Sequence, residues 1–192
     1  MSTSDPKSKP ALGFLTVVED SQQGLFGGYL LLNMSGRPLE FHCTAPIQPN
    51  RAQQILYGPT LQPYLFGEQI GQTLFSKAKT QPLVLLADRE PVLAVRQNVD
   101  VPAVLVLPSE EASAASTDSD LPGKLWRVDA AHPGSLPLTA FRLGRNRLAV
   151  ADHWPADRQL VVQRLADLAD SFDLTEPFGR IREAIEEARR GG

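Results

Sequence analysis

Apolar residues gather in runs of strand length, then recur at helical spacing, and that pattern sets the expected elements. LGFLTVVED, Leu12 to Asp20, is apolar and β-branched enough for a strand. After the turn SQQG, the segments FGGYLLLN and PLEFHCTA predict two more strands joined at Ser35-Gly36, where glycine accepts a positive φ. A two-residue turn there pairs Gly28 with Cys43, Leu30 with Phe41 and Leu32 with Leu39 on one apolar face. Tyr29 opposite His42 and Leu31 opposite Glu40 share the other face.

Asn50 is placed to cap a short helix and Gln53 to reach back to it, with Gly58 and Pro59 ending the helix. Thr60 opens a second helix, LQPYLFGEQIGQTLFSKAK, whose apolar positions cover more than half of its circumference. This predicts burial on more than one side. Gly67, Gly71 and Ala78 form a small-residue stripe that suits close approach to another backbone. PLVLLAD and VPAVLVLP are unbroken apolar runs, as in strands buried on both faces, and PVLAVRQN between them reads as a strand or a connector. LWRVD, TAFRLG and NRLAVAD predict short strands. Two amphipathic helices follow, one burying Leu160, Val161, Leu165, Leu168 and Phe172, the other Phe178, Ile181 and Ile185.

The expected fold is therefore α/β: a mixed sheet starting with an antiparallel three-strand meander, one largely buried helix, and a C-terminal pair of amphipathic helices. Residues 1–10 read as a disordered tail. Residues 11–192 read as a single α/β domain with a flexible polar loop at 109–124.

Composition narrows the function. Nineteen Lys and Arg against 22 Asp and Glu give a net charge of −3, which speaks against a general nucleic-acid or membrane binder. One cysteine and three scattered histidines make neither an internal disulfide nor a thiolate zinc site, so no metal site or cofactor is expected. MSTSDPKSKP lacks the apolar core of a signal peptide and no run is long enough to span a bilayer, which places the chain in the cytoplasm.

Successive strand residues point to opposite faces, so His42 cannot activate Cys43, and Cys43 reads as a small, inert core residue. His42, Asn50, Arg51 and Tyr57 form a candidate anion site if the short helix returns across the polar face of the hairpin. Arg127, Arg142, Arg145 and Arg147 with Trp126, Phe141 and Trp154 combine charge and stacking surface, the pattern of single-strand binding or of a solvated hairpin face. Arg189-Arg190-Gly191-Gly192 resembles the tail of ubiquitin-like modifiers, but follows the helix REAIEEA, where glycine is the ordinary stop signal.

Asp20 and Asp88 end predicted strands, and Glu68 falls among Leu61, Tyr64 and Phe75 on the apolar arc of its helix. Three converging carboxylates could hold two divalent cations for phosphodiester hydrolysis. The order meander, helix, buried strand resembles the ribonuclease H-like fold over the first half of the chain, as do GGY in the second strand and NRA before a helix. The resemblance implies a metal-dependent nuclease or phosphodiesterase using Asp20, Glu68 and Asp88. It departs at Gln53, where that family's glutamate directly follows NRA. With no Gly-rich phosphate loop, metal-ligand motif or nucleophile elbow, the leading expectation is a non-catalytic interaction or assembly module. A protein partner or self-association suits that module, while membrane and nucleic acid do not; the nuclease is the alternative.

Overall fold

The structure is a computed structural model and describes residues 9–108, 126–128 and 134–191. The loop expected at 109–124 and most of the tail expected at 1–10 lie outside them. Among the described residues, eight strands form one sheet in the order β3-β2-β1-β4-β5-β8-β7-β6. The strands are β1 (Ala11–Asp20), β2 (Gly24–Asn33), β3 (Pro38–Cys43), β4 (Val84–Ala87), β5 (Ala103–Val106), β6 (Trp126–Val128), β7 (Leu138–Leu143) and β8 (Asn146–Ala151). The first three make the antiparallel meander, and β4 and β5 run parallel to β1. The sheet is thus α/β and mixed, as the strand pattern implies.

The meander register matches the expected pairing for Gly28↔Cys43, Tyr29↔His42, Leu30↔Phe41 and Leu31↔Glu40, then slips by one residue so that Leu32 meets Pro38. The slip has a local cause. The Asn33 carboxamide accepts hydrogen bonds from the Ser35 and Arg37 amides, which makes a wider turn than Ser35-Gly36 alone.

Strand parity divides the core in two. Leu15, Val17, Tyr29, Leu31, Leu85 and Ala87 face a helix built of α2 (Leu61–Pro63), a π-helical segment (Tyr64–Gly71) and α3 (Gln72–Lys77). Phe14, Leu30, Leu32 and Leu86 face α4 (Ala156–Leu165) and α5 (Glu176–Arg190). The two glycines of GGY are what let both layers close on β2. A Cβ on Gly27 would lie 2.1 Å from Ile70 Cγ2, and one on Gly28 would lie 2.3 Å from Ile181 Cγ2. Gly67 likewise admits the segment Glu90–Asn98, since its Cβ would lie 2.6 Å from the Val95 amide nitrogen. That segment is a 3-10 helix burying Val92, Leu93, Ala94 and Val95, and so a connector rather than a strand.

Cys43 corrects an expectation. It is exposed. Its face of the hairpin is apolar as expected, but β3 is an edge strand and α5 seats on β2, so Leu39 and Phe41 are also exposed. Gly191 ends α5 by donating its amide to the Glu187 carbonyl, which makes it a helix stop. No described helix is long and apolar enough to cross a membrane.

Candidate nucleic-acid site at the carboxyl ends of the parallel strands

The carboxyl ends of β1, β4 and β5 point the same way, the end of an open α/β sheet where ligands gather. Register decides which groups meet there. Leu15 pairs with Ala87, so one step further brings Thr16 to Asp88. Thr16 is fully buried, and its hydroxyl donates to Asp88 Oδ1 at 2.5 Å. On the outer side Arg182 of α5 pairs with Asp88 Oδ2. The Asp88 side chain is 12% exposed and that of Arg182 48%. One carboxylate is therefore pinned from behind by a buried hydroxyl and closed in front by a solvent-open guanidinium.

Two more arginine–carboxylate pairs extend along the end of β1. Glu19 pairs with Arg89, and Asp20 with Arg189 at 2.6 Å. Asp20 also accepts the Gln22 and Gln23 amides and so closes the β1–β2 turn. Those amides, then Arg189, hold its carboxyl below the usual carboxylate range. Arg89 lies over the Phe66 ring and Arg189 over Phe26.

Asp20, Glu68 and Asp88 are not brought together. Asp20 lies four residues past Thr16, roughly 13 Å along an extended strand. Glu68 belongs to the helix on the other face of the sheet. It is also exposed rather than on the apolar arc, because the π-helical segment turns more widely than an α-helix and shifts the phase. The ribonuclease H-like resemblance implies divalent cations held by carboxylates. The groups touching Asp88 are instead a hydroxyl and a guanidinium, and among the described residues no three His, Cys, Asp or Glu side chains gather. This donor set does not fit a cation pair.

Most of the other candidates have partners of their own. His42 Nε2 contacts Glu40 at 3.0 Å. Burial pulls the Glu40 carboxyl up, but hydrogen bonds from Thr80, Lys79 and His42 outweigh it and hold the group at about 2. Asn50 and Gln53 form the expected reciprocal cap of α1 (Arg51–Tyr57), Arg51 reaches Gln54, and Tyr57 stacks on Tyr64 at 4.2 Å. In the arginine group, Arg142 pairs with Arg147 across the β7–β8 hairpin, while Phe141 is core. Trp154 is covered by Arg96 at 4.2 Å. The side chains of Trp126 and Arg127 lie outside the described residues.

Thr16, Arg182, Arg96 and Asp157 are missing from the expected sites. Thr16 left a trace as the one polar residue inside an apolar run. Arg182 left none, because its partner is 94 residues away.

No protein-family profile and no curated protein matches this chain. Solved structures are similar to it. The catalytic domain of human endonuclease V shares 16% identity, covering 93% of this chain and 83% of that one, at a TM-score of 0.48. Endonuclease V of Ciona intestinalis, in complex with a 24mer DNA containing an inosine followed by a ribo-adenosine, shares 10% over 93% and 87%, at 0.45. Marinitoga piezophila Argonaute with 5′ OH guide RNA shares 15%, covering 76% of this chain and 22% of that one, at 0.33. The likeness concerns the fold. The expectation of a non-catalytic interaction module, leaning away from an enzyme and away from nucleic acid, is corrected by these matches: the similar structures are of endonucleases, two of them in complex with DNA.

Proposed function

We propose that the chain acts on nucleic acid as a ribonuclease H-like nuclease, with the phosphodiester backbone lying across the carboxyl ends of β1, β4 and β5 at Asp88. The observation that carries this reading is the Asp88–Arg182 couple at that end of the sheet. Cleaving a phosphodiester needs an acceptor for the attacking water's proton and positive charge for the phosphoryl oxygens. A carboxylate in contact with a solvent-open guanidinium supplies both kinds of group. The meander followed by two parallel strands supports the same reading, and a cytoplasmic location belongs to it.

The test is cleavage of end-labelled DNA and RNA oligonucleotides, single-stranded and duplex, with and without inosine, resolved on denaturing gels. Wild type should cleave at least one of them. Asp88→Asn should bind at least as tightly as wild type and lose about a hundredfold or more in rate, the usual scale of a lost acid–base group. Failure of wild type to bind or cleave any substrate, or cleavage by Asp88→Asn at the wild-type rate, contradicts the proposal.

A further inference from the structure

We infer that Arg182 stands where a divalent cation would otherwise meet Asp88, so that the site grips a phosphate group through a guanidinium and binds nucleic acid without a divalent cation. This rests on the nucleic-acid reading above and specifies its chemistry.

Both oxygens of Asp88 are engaged, Oδ1 by Thr16 and Oδ2 by Arg182. A cation approaching Asp88 has to displace a guanidinium and then finds one carboxylate, with a neutral hydroxyl where a second acidic ligand would be needed. The next carboxylates along β1, Glu19 and Asp20, carry arginines of their own. Arg182 is held in place by its helix. Its neighbours Ile181 and Ile185 are only 0% and 2% exposed and seat directly on Gly28. Its head is nonetheless 48% exposed. A guanidinium presents paired N–H donors that match two oxygens of a phosphate, and it holds its charge at any physiological pH. Asp88 is then a counter-ion that an incoming phosphate displaces from Arg182, while Thr16 keeps the carboxylate hydrogen-bonded after the exchange. Arg189 on Asp20 extends the positive charge further along the same face of β1, while Arg89 on Glu19 lies over Phe66 on the other face.

The experiment is fluorescence anisotropy of a labelled single-stranded oligonucleotide, in EDTA and in magnesium, across a salt series. Wild type should bind within about twofold in the two buffers. Arg182→Gln should weaken binding roughly tenfold, the scale of one charge-assisted contact, and reduce the log–log salt slope by about one. Asp88→Asn should tighten binding, because it frees the guanidinium. Binding present in magnesium and lost in EDTA overturns the inference and leaves the nuclease reading standing; absence of binding in both buffers overturns both.

Thermal melts with manganese give a readout independent of nucleic acid. Wild type should show no dose-dependent rise. Thr16→Asp combined with Arg182→Gln places two carboxylates in contact with the cation removed, and should gain one. A rise in wild type overturns the inference. If the double variant does not fold, the wild-type melts still decide.

Discussion

At the amino end of β5 Asp157 is 2% exposed and binds Arg96 through Nε at 2.8 Å and Nη2 at 3.2 Å. It also accepts the Ala103 amide, while Arg96 donates to the Val99 carbonyl and stacks on Trp154. At the carboxyl end of β4, Asp88 meets one arginine whose head is nearly half open. Both are arginine–aspartate pairs, but their surroundings set different roles. The first is shielded and fully partnered, so the charges are exchangeable with nothing and the pair clamps the Glu90–Asn98 connector, β5 and α4 together. The second is open on its arginine side, so a guanidinium that is 48% exposed can trade a carboxylate for a phosphate.

The largest expected effect is at the shielded pair. Asp157→Ala leaves Arg96 buried without a counter-charge, which should cost about 3–5 kcal/mol in urea unfolding. Arg182→Gln, the matching change at the open pair, should cost about 1 kcal/mol or less. Equal losses would erase the distinction between the two ends.

Gly28→Val comes next and links the fold to the open pair. Its Cβ would press on Ile181, next in sequence to Arg182, so α5 must shift. Overpacking of this kind costs about 1–3 kcal/mol. Oligonucleotide binding should fall with it, whereas Asp157→Ala should leave the binding of the folded fraction unchanged. Unaltered binding by folded Gly28→Val would separate the seating of α5 from the site.

The elements were largely legible in the sequence because their causes are local. Strand parity gave the pairing of Gly28 to Leu31 with Glu40 to Cys43, and Asn50 with Gln53 gave the cap of α1. The small-residue stripe at Gly67 and Gly71 implied close approach, and both glycines do meet the Glu90–Asn98 segment. The site was less legible because its contacts are not local. Asp88 was visible as a strand-end carboxylate, but its partners Thr16 and Arg182 lie 72 and 94 residues away in sequence. Wheel geometry misplaced Glu68 because the π-helical segment breaks the periodicity on which the wheel depends. Cys43 came out exposed because apolar patterning identifies a face, not whether a helix reaches it.

A smaller effect, in acid, adds a third kind of carboxylate to the comparison. Glu40 is held by the amides of Lys79 and Thr80 and by His42, and its folded carboxyl sits at about 2 against an ordinary 4.5. A depressed carboxyl contributes stability that is complete above the ordinary value and is lost as pH falls toward the folded one. Urea midpoints should therefore decline between pH 4.5 and about 2, and Glu40→Gln should flatten that decline. An unchanged slope in the variant would assign the acid sensitivity to other groups.

The most direct measurement is a backbone and arginine side-chain NMR titration of the wild-type protein with a single-stranded oligonucleotide in EDTA. The account predicts that the signals that move gather at the carboxyl end of the parallel strands: Thr16, Asp88, Arg89 and the Arg182 guanidinium. The Arg96 guanidinium and the Trp154 indole, at the shielded end, should hold still. Shifts that gather on Arg96 and Trp154, or that appear only after magnesium is added, would contradict it.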